Sequence, residues 1–284
     1  MAGGVGSRLY PLSTPERPKQ FIDVLECGRT LIQLTFDRFA AVDPDAEFWI
    51  VTSAEYGHYI REQLPFVDDD HILLEPVARN TAPCIAYACT KISLRCPDAD
   101  IIVTPADAYV PDLVPFSSTM HSALSFVDTN DAIVCVGIDP DRPETGYGYI
   151  KASPSAAPDS VTEVISFKEK PDLATAQAYL SAGGYFWNAG IFVWNVRTLL
   201  SELRRYAPQI CGIMDELTPS LYSPDEQSAL SELFPQCDRI SIDYALMEKS
   251  SKVYMVPGKW MWSDLGGFPA LSRITGKDYS KYHK

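Results

Sequence analysis

The chain has 284 residues, 46% of them hydrophobic and 21% charged, enough for a sizeable α/β core and unlike the polar, aromatic-poor composition of disorder. Its formal net charge of −13 excludes nucleic acid and an anionic membrane as default partners, because both need a basic face. No apolar stretch approaches a membrane span and no charged leader opens the chain, so a cytoplasmic protein is expected, and any phosphate ligand requires cations concentrated locally.

In chain order, the first informative stretch is AGGVGSRLYPLSTPERPKQF at 2–21. Gly3, Gly4 and Gly6 permit positive φ and leave room for backbone N–H groups to approach phosphate oxygens, as in an anion nest. Arg8, Arg17 and Lys19 stand there against one carboxylate, Glu16, which is the local excess of cations demanded above. Leu9 occupies the place of the third glycine of a dinucleotide fingerprint, and the GK[ST] ending of a P-loop is absent.

Short β-branched or aromatic runs follow at 48–52, 71–75, 100–104 and 132–137, separated by helix-like segments, and predict βαβ units with a mostly parallel, Rossmann-like sheet flanked by helices. From Thr81, the residues Ile85, Ala88, Cys89 and Ile92 make one apolar helical face, with Thr81 as expected N-cap and Pro83 in the first turn. After Gly146 the texture changes to GYGYI, a Pro/Ser/Ala stretch at 152–158 and an alternating run at 161–167, which predicts a hairpin and a smaller β lobe. Helices are expected at 172–182, 196–206 and 224–234, and a strand at 252–256. Seven cysteines with no CxxC spacing read as buried thiols of a reducing compartment rather than a zinc site.

GxGxRL followed by PKQF resembles the signature of the nucleotidyltransferases that make nucleotide sugars, and PKQF is the form of mannose-1-phosphate guanylyltransferases. Five further elements stand in the family's order, from EPVARNTAPCIA at 75–86 through VTPADAYV at 103–110, PETGYGYI at 143–150 with FKEKP at 167–171, and YFWNAGIFVW at 185–194 to WSDLGGF at 262–268. The resemblance implies one nucleotidyltransferase domain over 1–284, with 1–140 as the nucleotide-binding half and 141–284 as the sugar-phosphate half. It implies that Gly3, Gly4, Gly6, Ser7, Arg79, Asn80 and Thr81 meet the nucleotide, and that Arg8 and Lys19 stabilise the pyrophosphate side. Asp107 and Asp264 would share Mg²⁺, while Gly146, Gly148, Glu169, Lys170 and Asn188 would meet the sugar phosphate.

The implied reaction moves GMP from GTP to mannose 1-phosphate, giving GDP-mannose and pyrophosphate. A heptose or glucose 1-phosphate substrate, or a nucleotide-sugar-binding regulatory subunit of low activity, stays open at this point, as does a homo-oligomer. Family members carry a buried apolar strand before AGG, so the expectation is that this first sheet strand is missing here and that Met1 is an internal residue of it. Ala108 stands where the family has histidine and Gly267 where serine is common. The residues after WSDLGGF are too few for the β-helical tail or isomerase domain of some relatives.

Overall fold

The computed structural model describes residues 1–4, 7–154 and 160–282. Gly6 and most of the 152–158 stretch lie outside the described residues. Contacts divide the chain into two compact units, one of Met1–Leu74, Pro105–Ser117 and Trp260–Lys284 and one of Glu75–Thr104 and Ser118–Lys259.

The elements begin with α1 (Leu31–Ala40), β1 (Ile50–Ser53), α2 (Gly57–Gln63), β2 (Ile72–Glu75), α3 (Thr81–Arg95), β3 (Asp100–Val103) and α4 (Leu113–Thr129). They continue through β4 (Ile133–Ile138), β5 (Tyr149–Ala152), β6 (Thr162–Lys168), α5 (Leu173–Ala182), β7 (Tyr185–Asn195) and α6 (Val196–Tyr206). The last are α7 (Pro208–Leu217), α8 (Glu226–Leu233), β8 (Val253–Gly258) and α9 (Phe268–Thr275).

In the first unit β1 pairs with β2. The Ala2 N–H donates to the Val51 carbonyl at 2.7 Å, and the Ala106 N–H donates to the Met1 carbonyl at 2.9 Å. The first two residues therefore fill a strand-like place between β1 and the 105–106 segment. Phe21, Ile32, Ile60 and Leu64 are buried in one apolar cluster here, and Leu9, Leu31, Leu265 and Leu271 in a second.

In the second unit six strands lie in the order β3-β7-β4-β8-β6-β5. β4 runs parallel to β8, whereas β7 runs antiparallel to β3, β4 and β5, and β6 antiparallel to β5 and β8. β3, β4, β5 and β8 thus share one direction while β6 and β7 run against them. Five of the six pairings in this sheet are therefore antiparallel, and only β4 with β8 shows the parallel pairing that the sequence predicts for most of it. Because β5 also pairs back to β7, the pairings close a ring from β7 through β4, β8, β6 and β5. The predicted hairpin is β5 with β6. Every residue of β4 is buried, which is why it reads as a continuous apolar run rather than an alternation.

Two expectations are corrected. The N-cap of α3 is Asn80, not Thr81: Asn80 holds φ +70° and its Oδ1 accepts the Thr81 N–H at 2.8 Å, while the Thr81 hydroxyl accepts the Ile242 N–H at 2.8 Å. Five cysteines are buried as expected, but Cys27 and Cys96 are exposed. No helix among the described residues is long and apolar enough to cross a membrane.

Glu75 closes β2 with its Oε1 buried and unpartnered. Burial pushes its carboxyl up to about 7, against a smaller opposing effect of the hydrogen bond with Cys84. The folded state therefore binds this proton more tightly than the unfolded chain. The resulting stability is fully present below the unfolded value and is lost as pH rises through about 7. Glu75→Gln should gain on wild type by on the order of 1–3 kcal/mol between pH 4.5 and 7.5. Urea unfolding of both proteins at the two pH values checks this, and a constant difference would refute it.

Candidate active site

The PKQF segment gives each side chain a separate task. Phe21 is fully buried and stacks on Tyr59 with ring centres 4.9 Å apart, which anchors the segment. Gln20, also buried, donates from Nε2 to the Ala2 carbonyl at 2.7 Å and to the Gly4 carbonyl at 2.8 Å, so it pins the start of the glycine loop. Lys19 is only 6% exposed, and its ammonium has the partners that burial of a charge demands. Its Nζ lies 3.0 Å from Asp107 Oδ2, donates to the Asp264 carbonyl and reaches the Leu265 carbonyl at 3.4 Å.

Two distant segments meet at this lysine because a short antiparallel bridge ties them. The Tyr109 N–H donates to the Ser263 carbonyl at 2.8 Å, and the Ser263 N–H donates back at 3.1 Å. Asp107 stands two residues before one side of the bridge and Asp264 one residue after the other. Leu265 holds φ +47°, an unfavourable value for a residue with a Cβ. Its fully buried side chain stabilises the turn through the second apolar cluster of this unit.

Arg8, Leu9, Lys19, Pro105, Asp107, Ala108, Trp262, Asp264, Leu265 and Gly266 line one cavity of about 340 Å³, the size of a small-ligand site. Arg8 is exposed at its mouth. A Cβ on Gly4 would meet nothing within 4 Å, and Gly4 does not use positive φ, so its contribution is open space rather than backbone freedom. Gly3 is exposed as well, and Ser7 opens a 3-10 turn over Ser7–Leu9.

Asp264 Oδ1 accepts the Gly266 N–H at 2.9 Å, and a Cβ on Gly266 would press into the same carboxylate. Because the Cβ would meet the tip of a side chain rather than backbone, Gly266→Ala should push the Asp264 carboxylate aside at little cost in stability. We expect kcat to fall about tenfold, since misplacing a reacting geometry by a fraction of an ångström is costly. Steady-state rates with parallel thermal melts test this; a wild-type rate would contradict it.

The remaining predicted residues lie in the second unit. Arg79 donates to the Pro235 carbonyl while its Nε is buried without a partner, and Asn80 and Thr81 are used as described above. Glu169 is 8% exposed and bonded by the Lys170 ammonium, and Lys170 holds φ +44°. A Cβ on Gly148 would lie 2.6 Å from Glu169 Oε2 and 3.4 Å from the Asn188 Cβ, so this glycine gives those two side chains their room. Gly146 donates its N–H to Glu144 Oε1 at 3.2 Å. Asn188 donates from Nδ2 to Asp243 Oδ1 at 3.0 Å and accepts the Gly190 N–H at 3.0 Å.

Sequence reasoning missed Gln20, Gly266 and Asp243. The first two stand inside the quoted motifs, so their neighbours were the available signal, whereas Asp243 carries none in its own stretch. Among the described residues no group of three or more His, Cys, Asp or Glu side chains comes together to hold an ion.

A family model described as Nucleotidyl transferase matches residues 1–281. The chain belongs to the nucleotidyl transferase family. Its similarity to a mannose-1-phosphate guanylyltransferase of Escherichia coli K12 is 36% identity over 284 residues, covering 97% of this chain and 59% of that protein. With the alginate biosynthesis protein AlgA of Pseudomonas aeruginosa it shares 37% identity over 282 residues, 98% of this chain and 58% of that one. The chain thus spans about three-fifths of the length of these relatives. A crystal structure from Thermus thermophilus, named as a mannose-1-phosphate geranyltransferase, superposes with a TM-score of 0.86 at 33% identity, over 98% of this chain and 78% of that one. The mixed α/β fold of this nucleotidyl transferase is therefore the one the family resemblance implied.

Proposed function

We propose that this nucleotidyl transferase moves GMP from GTP to mannose 1-phosphate, releasing pyrophosphate and GDP-mannose, and that it works in the cytoplasm. The observation that carries the reading is the convergence of Lys19, Asp107 and Asp264 on one cavity, with Arg8 at its rim. The names of the relatives support guanine and mannose over other bases and sugars. The free thiols agree with a reducing compartment.

A sugar 1-phosphate with a second pKa of about 6 is already mostly dianionic at neutral pH, so the attacking oxygen needs no general base. The obstacle is the approach of two polyanions and the charge that builds on the leaving pyrophosphate. In this reading Lys19 and Arg8 take that charge, the open space at Gly4 admits the phosphates to the backbone, and Lys170 holds the incoming phosphate. Arg79, Asn80 and Thr81 border the nucleotide, Gly146, Gly148, Glu169 and Asn188 the sugar. The functional halves 1–140 and 141–284 belong to the same proposal.

The donor set at the cavity, two carboxylates, fits Mg²⁺, which is commonly held by one or two carboxylates with substrate phosphates and waters completing its shell. When bound, it would neutralise phosphate charge as a Lewis acid. Asp107 and Asp264 would hold it.

Pyrophosphate release across pairs of nucleoside triphosphate and sugar 1-phosphate, with and without Mg²⁺, tests the reading. The expected best pair is GTP with mannose 1-phosphate, by at least about tenfold in kcat/KM. A better rate with a heptose or glucose 1-phosphate would reassign the sugar. Nucleotide-sugar binding without pyrophosphate release would replace the enzyme by a regulatory subunit.

A further inference from the structure

Asp243 opens a π-helical turn over Asp243–Met247, a rare geometry frequent at functional sites. Residues from several elements face it. Asn188 on β7 donates to its Oδ1, Glu169 and Lys170 approach from the end of β6, Ser241 bonds it from its own segment, and Cys135 lies near on β4. Glu169 in turn receives the Lys170 ammonium, and its backbone N–H donates to Glu248 Oε1 at 3.2 Å. Burial first and Glu169 second push the Asp243 carboxyl up to about 6.

Such a carboxylate is poorly placed for stability alone, since burial and a like charge both oppose its ionised form. What it does locally is hold one amide. With Nδ2 on Asp243 and Oδ1 on the Gly190 N–H, Asn188 can neither rotate nor flip, and one Nδ2 hydrogen is left over from these two bonds for a ligand. Around it stand the Glu169 carboxylate, which accepts hydroxyl donors, and the Lys170 ammonium, which attracts phosphate. This combination suits a polyhydroxylated phosphate better than a bare one.

We propose that Asp243 is a positioning residue of the sugar-phosphate subsite, acting through Asn188 to fix the amide that meets a sugar hydroxyl. The inference rests on the reading of Gly148, Glu169, Lys170 and Asn188 as that subsite. The test is steady-state kinetics of Asp243→Leu and Asp243→Asn on the full chain, with thermal melts.

Asp243→Leu removes the acceptor and should raise KM for mannose 1-phosphate about tenfold, with KM for GTP within about twofold, the effect of losing one hydrogen bond to a charged group. Asp243→Asn keeps an acceptor and should return KM to within about threefold of wild type, with a melting temperature equal to or above it because the repulsion from Glu169 is gone. If Asp243→Leu does not fold, Asp243→Ala takes its place. An unchanged KM for mannose 1-phosphate in the folded variant, or equal rises for both substrates, overturns the proposal. Wild-type failure on mannose 1-phosphate overturns the substrate reading instead, and the variants are then run on whichever sugar 1-phosphate turns over. Absence of turnover with every pair overturns both.

Discussion

If the proposed ion site holds, Asp107→Asn and Asp264→Asn should each lower kcat by about 10³-fold while leaving the fold intact, because each would remove one of the two carboxylates assigned to a cation worth several kcal/mol to the transition state. Both changes are isosteric, and the backbone bridge between Tyr109 and Ser263 that brings the segments together involves neither side chain. The two variants differ in one respect. Asp107 also pairs with Lys19, so its loss takes a carboxylate from a buried ammonium, whereas Asp264 meets Lys19 through its backbone carbonyl, which the substitution keeps. Asp107→Asn should therefore show the lower melting temperature of the two. Initial rates of pyrophosphate release, with circular dichroism melts, decide it; retention of more than about a tenth of wild-type kcat in either variant would remove that carboxylate from the ion site.

Lys19→Met should lower kcat by about 10²- to 10³-fold, the usual cost of deleting one preorganised electrostatic donor. Methionine follows the lysine stem out to Cε and lacks the ammonium, so the change isolates the charge. Leu265 and Asp264 would retain their backbone turn, but two carbonyls and Asp107 would lose their shared donor. Part of that loss is offset because the Asp107 carboxylate is about one-third exposed and can turn to water. Rate and stability should thus separate, with a large fall in kcat beside a modest fall in melting temperature. A lysine that serves only the fold would give the opposite pattern, and kcat measured beside urea unfolding distinguishes them.

The glycine-to-lysine segment at 2–21 could be read from its own letters, since glycine spacing and local cation excess are one-dimensional features. The four early strands and α6 were also visible, because apolar runs and a 3.6-residue period survive without tertiary context. β7 was different. The family resemblance singles out Asn188 in this stretch, and nothing local shows that eleven residues form one strand paired with β3, β4 and β5.

The cap of α3 was misplaced by one residue because Thr81 and Asn80 are both good caps. The choice was made by the Ile242 N–H, 161 positions away in the chain, which occupies the threonine hydroxyl. Asp243 was invisible for the same reason, since its meaning comes from Asn188, 55 positions earlier. Three of the non-glycine residues with positive φ, namely Asn80, Lys170 and Leu265, fall inside the motifs that resemble the family. Strain of this kind persists where surrounding packing enforces it, and functional sites are where it collects.

Titration of Mn²⁺ in the presence of GTP, followed by electron paramagnetic resonance, addresses the proposed shared ion without depending on turnover. The wild-type chain should bind Mn²⁺ with GTP, and Asp107→Asn and Asp264→Asn should each weaken that binding by about tenfold or more. Wild-type affinity in both single variants would show that the two aspartates do not hold a common cation.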